Sequence, residues 1–330
     1  MIADRLRWGI LGTANIARGL FVPGVRAGGE TEVLAVGSRS EDAARAFADQ
    51  LAIPRAYGSY EALLADQDVD AIYVALPNSL HAEWTIRGAQ AGKHVLCEKP
   101  LARRAAEAEQ IAAACKAAGV LLMEAFMWRH HPQHARVRAV LDSGAIGEPG
   151  FVRASFSYVI DTTVRRGGMN VRLLPGLEGG SLMDVGCYGV NVARWVFGSE
   201  PEGFAAQQWV DPRYGVETIF GGVLRFPGGQ LAMVDSSFVH ASINRYEIAG
   251  PDGRLVVERA FRPDDAPGRI DIYRGSDHSV EVATIPPANQ FANEADHFAH
   301  CVRAGKLLSP AEDGVAQARA LEALYAAAEA

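Results

Sequence analysis

Cys97-Glu98-Lys99-Pro100 closes an apolar run, His94-Val95-Leu96-Cys97, that reads as a buried strand. The proline fixes the turn and cannot extend the strand, so Lys99 stands at a strand's carboxyl end. In an open parallel sheet, ligands collect beyond those ends, where a fixed cation reaches a cofactor lying across them. A solvated lysine in an ordinary strand-to-helix turn fits the same four residues, so the flanking chain has to decide.

Upstream, Ala71 to Leu76 is a near-continuous apolar run ending in Pro77-Asn78-Ser79-Leu80-His81, which opens a second loop on the same edge. Leu6 to Leu11 is a short apolar strand, followed by the turn Gly12-Thr13-Ala14-Asn15-Ile16-Ala17 and a helix over Ile16 to Arg26. This is dinucleotide-site context: Gly12 supplies the turn, while Ala14 and Ala17 occupy the second and third glycine positions of G-x-G-x-x-G. One glycine is a weak signal, and a plain strand-turn-helix explains it equally well. Thr31 to Gly37 is a second β-rich run, ending about twenty residues beyond Ala17, where an NAD-preferring site carries Asp or Glu. Here the residues are Ser38-Arg39-Ser40. An arginine at that point stacks on adenine and holds a 2′-phosphate, so NADP is favoured over NAD. Ser40, followed by Glu41 and Asp42, also suits a helix cap, which leaves a merely solvated Arg39 as the plainer reading.

Downstream, helical spacing runs from Ala82 to Ala91, then an alanine-rich helix from Arg103 to Ala118 is broken by Gly119, and Val120 to Met123 gives a fifth strand. The alternation predicts an α/β fold: a Rossmann doubly wound parallel sheet over residues 1–125. His131-Pro132 opens a helix to Leu141, and then the pattern changes. Phe151 to Ile160, Phe204 to Val210, Glu217 to Phe226, Gln230 to Phe238, Arg245 to Ala249 and Gly253 to Val257 read as strands joined by turns such as Pro227-Gly228-Gly229. Residues 126–330 are therefore expected to form a second, α+β domain with a large, mainly antiparallel open sheet. Asn289 to Ala330 returns to helical spacing, with Phe291, Ala295 and Phe298 on one stripe, and is expected to pack back on the first domain. Residues 161–180, with Arg165-Arg166-Gly167-Gly168, read as a loop near the substrate.

Composition sets the outer bounds. With 330 residues, 49% of them hydrophobic and dispersed, the chain can bury the cores of two globular domains. A formal charge of -7 argues against a nucleic-acid partner. Met1 to Arg7 lacks an apolar export region and no apolar run reaches about 18 residues, so the expected location is the cytoplasm, away from membranes. Cys97, Cys115, Cys187 and Cys301 lie far apart without a C-x-x-C pair, which suits reduced thiols. His130, His131 and His134 have no accompanying carboxylate or cysteine set, so no metal site is expected; Asp264-Asp265 reads as a solvated turn.

Taken in order, these residues resemble the glucose-fructose oxidoreductase and inositol dehydrogenase family, Gfo/Idh/MocA. The resemblance rests on the Gly12 to Ala17 turn, Pro77-Asn78 with His81, Glu98-Lys99-Pro100, and Glu124-Ala125-Phe126-Met127-Trp128-Arg129-His130-His131-Pro132. It continues through Gly179-Gly180-Ser181-Leu182-Met183-Asp184-Val185-Gly186-Cys187-Tyr188. Many members carry histidine where this chain has Tyr188, and tyrosine resembles the branch of glucose-fructose oxidoreductase, D-xylose dehydrogenases and dihydrodiol dehydrogenases, generally NADP users. Met127 stands where some dihydrodiol dehydrogenases have tryptophan, which weakens an aromatic substrate. The resemblance implies cofactor contacts from Gly12, Thr13, Ala14, Asn15, Ile16, Ser38, Arg39, Leu76, Pro77, Asn78, His81, Glu98, Lys99 and Arg129. It implies catalytic roles for Lys99, Tyr188 and Asp184, a cis Lys99-Pro100 bond, and a homodimer or homotetramer paired through the second sheet.

The expected reaction moves a hydride between NADP and a secondary carbinol of a small molecule, most simply C1 of an aldose, giving a lactone. Tyr188 serves as the base if a cation lowers its pKa. An ammonium about 4 Å away contributes roughly 4 kcal/mol at an effective dielectric near 20, or about three pKa units. Lys99 would supply that charge and donate to the reacting oxygen, with Asp184 orienting Lys99 or a substrate hydroxyl. Asp184 also suits a cap of the helix running through Tyr188 to Phe197, a role that can coexist with the first. Reduction of diketones or dihydrodiol-type substrates, or a nonenzymatic NADP sensor, stay open alternatives.

Overall fold

Six short strands, most of them apolar runs, form a parallel sheet: β1 (Leu6–Leu11), β2 (Thr31–Gly37), β3 (Arg55–Tyr57), β4 (Ala71–Val74), β5 (His94–Glu98) and β6 (Leu122–Ala125). The computed structural model describes residues 5–160, 170–263, 266–275, 279–306 and 310–330. The order is β3-β2-β1-β4-β5-β6, with every pair parallel. β1 has β2 on one side and β4 on the other, so the winding direction reverses there and opens a crevice at the carboxyl ends.

Successive residues feed opposite cores. Trp8, Ile10, Tyr73 and Leu96 join one with Phe21, Phe47 and Phe298; Leu11, Ile72, Val74, Val95 and Cys97 join the other with Leu63, Trp84 and Ile111. With both faces buried, alternation vanishes from the sequence and the strands read as continuous apolar runs. β3, missed in the sequence, has only three half-buried residues and so no apolar signal. The strand expected at Val120 to Met123 lies at Leu122–Ala125. The helix expected from Ile16 to Arg26 is a π-helical turn, Ala17–Phe21, running into an α-helix, Val22–Ala27. Pro23 has no N–H for the carbonyl one turn back, and the wider turn precedes it. Gly119, at φ 69°, ends helix Ala105–Ala118 as expected.

The second sheet has eight strands: β7 (Phe151–Ser157), β8 (Gly203–Asp211), β9 (Val216–Arg225), β10 (Leu231–Ser237), β11 (Ile243–Gly250), β12 (Gly253–Glu258), β13 (Gly268–Arg274) and β14 (Ser279–Ile285). Their order is β14-β13-β12-β11-β7-β10-β9-β8, and only β7 with β10 runs parallel. Here alternation survives: Ala232, Val234 and Ser236 are buried while Met233 and Asp235 are exposed. β13 and β14 escaped the sequence reading because charges interrupt them, and β14 is mostly exposed.

The chain divides into two compact units, Met1–His130 with Asn289–Ala318, and His131–Ala288 with Arg319–Ala330. Residues 289–330, read from the sequence as one block, are thus split. Helix Gln290–Ala304 packs with the first unit, where Phe298 meets Trp8 at 5.1 Å between ring centres, and Tyr325 of helix Ala311–Glu329 lies against Phe220 in the second. Arg165 to Gly168 and Asp264-Asp265 lie outside the described residues. Among the described residues no helix is long and apolar enough to cross a membrane.

Candidate active site

In the first unit, the loops singled out in the sequence leave the same edge because the sheet is parallel. Gly12 follows β1 at φ 98°, and a methyl there would sit 2.8 Å from Ala75 O and 2.9 Å from Leu76 Cδ2. Only glycine lets the turn pass this close to the end of β4. Thr13, Ala14 and Ile16 are half-buried and Asn15 exposed beside that turn; Leu76, Pro77 and Asn78 are half-buried beyond β4. A dinucleotide pyrophosphate suits this cradle, where the backbone at Gly12 is closely packed against the end of β4.

Beyond β2, Ser38 is buried and Arg39 exposed. Arg39 lies beside the Tyr60 hydroxyl: burial raises the phenol's pKa, and the charge and hydrogen bond of Arg39 work against that rise. No carboxylate occupies positions 38–40, so the residues fit a 2′-phosphate better than a bare ribose diol. Ser40 Oγ accepts from Ala43 N at 3.3 Å, capping helix Glu41–Gln50.

The Lys99 segment is held by side chains. Lys99-Pro100 is cis. Lys99 N donates to Glu98 Oε2 at 3.3 Å, Leu101 N donates to Glu124 Oε1 at 2.8 Å, and Pro100 O lies 2.9 Å from His81 Nδ1. The other oxygen of Glu98 accepts the Tyr73 hydroxyl. His81 is fully buried, with Nε2 2.9 Å from Leu76 O, so its ring lies between two loop carbonyls and, when neutral, donates its one N–H to one of them. Burial holds its pKa down, against the pull of those carbonyls and with the charge of Lys99. Arg129 is half-buried and paired with Asp313 at 2.8 Å. Tyr73, Glu124 and Glu294 were not anticipated. Glu294, on helix Gln290–Ala304, is buried, and burial, with Glu98 adding repulsion, raises its carboxyl well above the usual range. Glu124 was visible as the first residue of its motif, whereas Glu294 had no local signal.

In the second unit a π-helical turn, Leu182–Gly186, leads into helix Cys187–Phe197. Asp184 does not cap: its carboxylate accepts from the Tyr158 hydroxyl at 2.7 Å and pairs with Arg172 Nε at 2.9 Å. Tyr188 is buried, its ring edge-on to Phe156 at 5.4 Å and tilted against Phe261 at 5.1 Å. Phe156 and Tyr158 are two residues apart along the chain, so Asp184 and Tyr188 face one side of the β7 end. The glycines before this helix mark close passages. A methyl on Gly179 would lie 2.3 Å from Arg172 O, and one on Gly180, at φ 128°, 2.3 Å from both Glu217 carboxyl oxygens. Glu217 Oε1 accepts from Leu182 N at 3.0 Å and from the Tyr325 hydroxyl at 2.8 Å, anchoring the turn. Gly186 and Gly189 bring the helix onto the sheet, where a methyl on Gly189 would lie 3.1 Å from Ala154 Cβ and Val234 Cγ1.

His131 and His134 belong to a buried network, His134 Nδ1 lying 2.9 Å from the Tyr246 hydroxyl. His130 packs on His297 with ring centres 4.8 Å apart.

Known proteins match this chain along nearly all of its length. Residues 6–126 match the family described as oxidoreductase family, NAD-binding Rossmann fold, and residues 134–256 its GFO/IDH/MocA C-terminal domain. D-xylose 1-dehydrogenase (NADP(+)) 2 of Haloferax volcanii is 40% identical over 98% of both chains. Trans-1,2-dihydrobenzene-1,2-diol dehydrogenase of Xenopus laevis is 33% identical over 92% of this chain and 91% of its own. The crystal structure of KijD10, a 3-ketoreductase from Actinomadura kijaniata in complex with NADP and TDP-benzene, superposes with a TM-score of 0.91 at 35% identity, covering 98% of each chain. With matching halves in this order and a relative 40% identical over 98% of both chains, the chain belongs to the Gfo/Idh/MocA family of oxidoreductases.

Proposed function

We propose that this protein is an NADP-dependent dehydrogenase that oxidises a secondary carbinol, C1 of an aldose of the D-xylose or D-glucose type, to a lactone. The observation that carries the reading is the 40% identity, over 98% of both chains, with an NADP-linked D-xylose dehydrogenase. The Ser38-Arg39-Ser40 corner, without an acid and beside Tyr60, supports NADP over NAD. Gly12, Thr13, Ala14, Asn15, Ile16, Ser38, Arg39, Leu76, Pro77 and Asn78 are assigned to holding it, with Glu98, Lys99 and Arg129 toward its nicotinamide end. His81, buried between the carbonyls of Leu76 and Pro100, contributes by packing behind these two loops. When bound, the cofactor supplies the hydride acceptor or donor.

Tyr188 takes the carbinol proton during oxidation and returns it during reduction. Lys99 donates a hydrogen bond to the reacting oxygen and, as a cation, favours the phenolate. Asp184, engaged by Tyr158 and Arg172, orients the substrate and leaves proton transfer to the phenol. The exposed apolar residues of the second sheet, Trp209, Met233 and Ile243 among them, support pairing with a second copy as a homodimer or homotetramer.

A second reading, reduction of a ketone on a sugar ring, is favoured by the likeness to the 3-ketoreductase. The same residues serve it with the proton moving from Tyr188 to substrate. Purified protein assayed for NADP reduction with aldoses, polyols and trans-dihydrodiols, and for NADPH oxidation with diketones and keto sugars, separates the readings. Turnover of D-xylose or D-glucose supports the first; turnover of ketones alone replaces it.

A further inference from the structure

Phe261 is fully buried, yet it belongs to no strand. The chain has left β12 at Glu258 and turned through Arg259, whose φ of 51° is uncommon for a residue other than glycine. The next two residues are clamped from two directions. Ala260 O lies 2.9 Å from His134 Nε2 and accepts from Gln133 Nε2 at 2.8 Å, both from helix Pro132–Asp142. From β11, Asn244 takes Ala260 N on its carbonyl at 3.0 Å and Phe261 N on Oδ1 at 2.8 Å. A carbonyl only accepts, so His134 carries its hydrogen on Nε2 and Nδ1 accepts the Tyr246 hydroxyl. Burial keeps that imidazole neutral, its pKa pushed down to about 3, with His131 acting in the same direction.

Holding this turn is costly. Gln133 and His134 are both buried, and Gln133 Oε1 has no hydrogen-bond partner among the described residues. What the turn presents is one ring. Phe261 stacks on Phe156 at 5.3 Å and 19°, meets Tyr188 at 5.1 Å and 49°, and meets Tyr246 at 6.1 Å. Phe156, Phe261 and the Tyr188 ring thus meet in a three-ring corner, and of the two phenylalanines only Phe156 is held there by a strand.

We propose that Phe261 is a positioning residue for Tyr188: the Gln133, His134 and Asn244 clamp fixes the Phe261 ring, and that ring fixes the plane of the proton-transferring phenol. The inference rests on the role given to Tyr188 above. A misplacement of about 1 Å can cost on the order of 10²-fold in rate, so a loosened corner should show in turnover.

The test compares Phe261→Leu, Tyr188→Phe, their double variant, and Leu255→Ala, a core change in β12 as a control for lost stability. Turnover, NADP affinity by titration, melting temperature and a crystal structure of Phe261→Leu are measured. Phe261→Leu should lower turnover about tenfold or more, leave NADP affinity within about twofold, and show the Tyr188 ring rotated or shifted by more than about 0.5 Å. In the Tyr188→Phe background the same change should cost less than about twofold, because the group it positions is gone. Asn244→Ala, which keeps the ring and loosens its turn, should lower turnover in the same sense and serves if Phe261→Leu does not fold. Full turnover in Phe261→Leu beside an impaired Tyr188→Phe would overturn this inference alone, as would an equal loss in Leu255→Ala at matched melting temperature. Full turnover in Tyr188→Phe would overturn the role of the phenol as well.

Discussion

Gly180→Ala places a methyl group where the structure has no room, and its cost can be worked out. The backbone there sits at φ 128°, which for alanine costs about 1–3 kcal/mol. The new carbon would lie 2.3 Å from both oxygens of Glu217, so the carboxyl group must move. That group accepts Leu182 N and the Tyr325 hydroxyl, and each hydrogen bond is worth about 1.5 kcal/mol. Losing one bond plus the smallest backbone strain gives about 2.5 kcal/mol; losing both with moderate strain gives about 5 kcal/mol. Glu217→Ala breaks the same bonds but makes space, so in the double variant the methyl should add only the backbone strain. Urea unfolding of wild type, both single variants and the double variant should therefore give a double-variant loss smaller than the sum by about 1.5–3 kcal/mol. Additivity within about 0.5 kcal/mol, or a Gly180→Ala loss below about 1 kcal/mol, would refute the view that Glu217 anchors the turn carrying Asp184 and Tyr188.

Arg39→Asp should weaken NADP binding by more than about tenfold and change NAD by less than about threefold, read by titrating both cofactors; an unmoved ratio removes Arg39 from the 2′-phosphate. Tyr188→Phe should lower turnover about 10²-fold or more and erase the ionisation limb of the oxidation pH profile, and Lys99→Met should be worse and recover little as pH rises. Glu294 keeps its proton in the folded state above the pH, near 4.3, at which the unfolded chain releases it, so stability attributable to it falls as pH rises beyond that value. Glu294→Gln, which has no proton to lose, should gain stability relative to wild type between about pH 5 and pH 8, measured by urea unfolding; a constant difference would mean that Glu294 is ionised.

What the sequence disclosed was whatever chain-local physics writes down. Strands buried on both faces announce themselves as apolar runs, so β1, β2, β4 and β5 were legible, as was the loop after each. Helix ends carried by one residue, Ser40 and Gly119, were legible for the same reason. Short or charge-interrupted strands were not, since β3 and β14 owe their existence to neighbours rather than to their own composition. Motif spacing pointed to Lys99, Asp184 and Tyr188, but their partners come from distant positions: Glu124 and His81 around Pro100, Tyr158 and Arg172 on Asp184, Phe261 on Tyr188. Nothing in an isolated Gln133 or Asn244 indicates that it will clamp a turn more than a hundred residues away for the first and sixteen to seventeen away for the second.

The glycines of helix Cys187–Phe197 and the turn before it give the second unit a built-in gauge. With Gly189 in place, the helix rides on Ala154 and Val234 at a spacing where an added methyl would meet carbon at 3.1 Å. Carbon atoms settle at about 3.5–4.0 Å, so alanine there acts as a shim of roughly half an ångström or more under the helix. Gly186, against Ser236, is a second such point one residue before the helix begins. The height of the Tyr188 hydroxyl above the sheet is therefore set by the thickness of two missing methyl groups. On the role proposed for Tyr188, a change at either glycine retunes that height without altering any side chain assigned to the substrate.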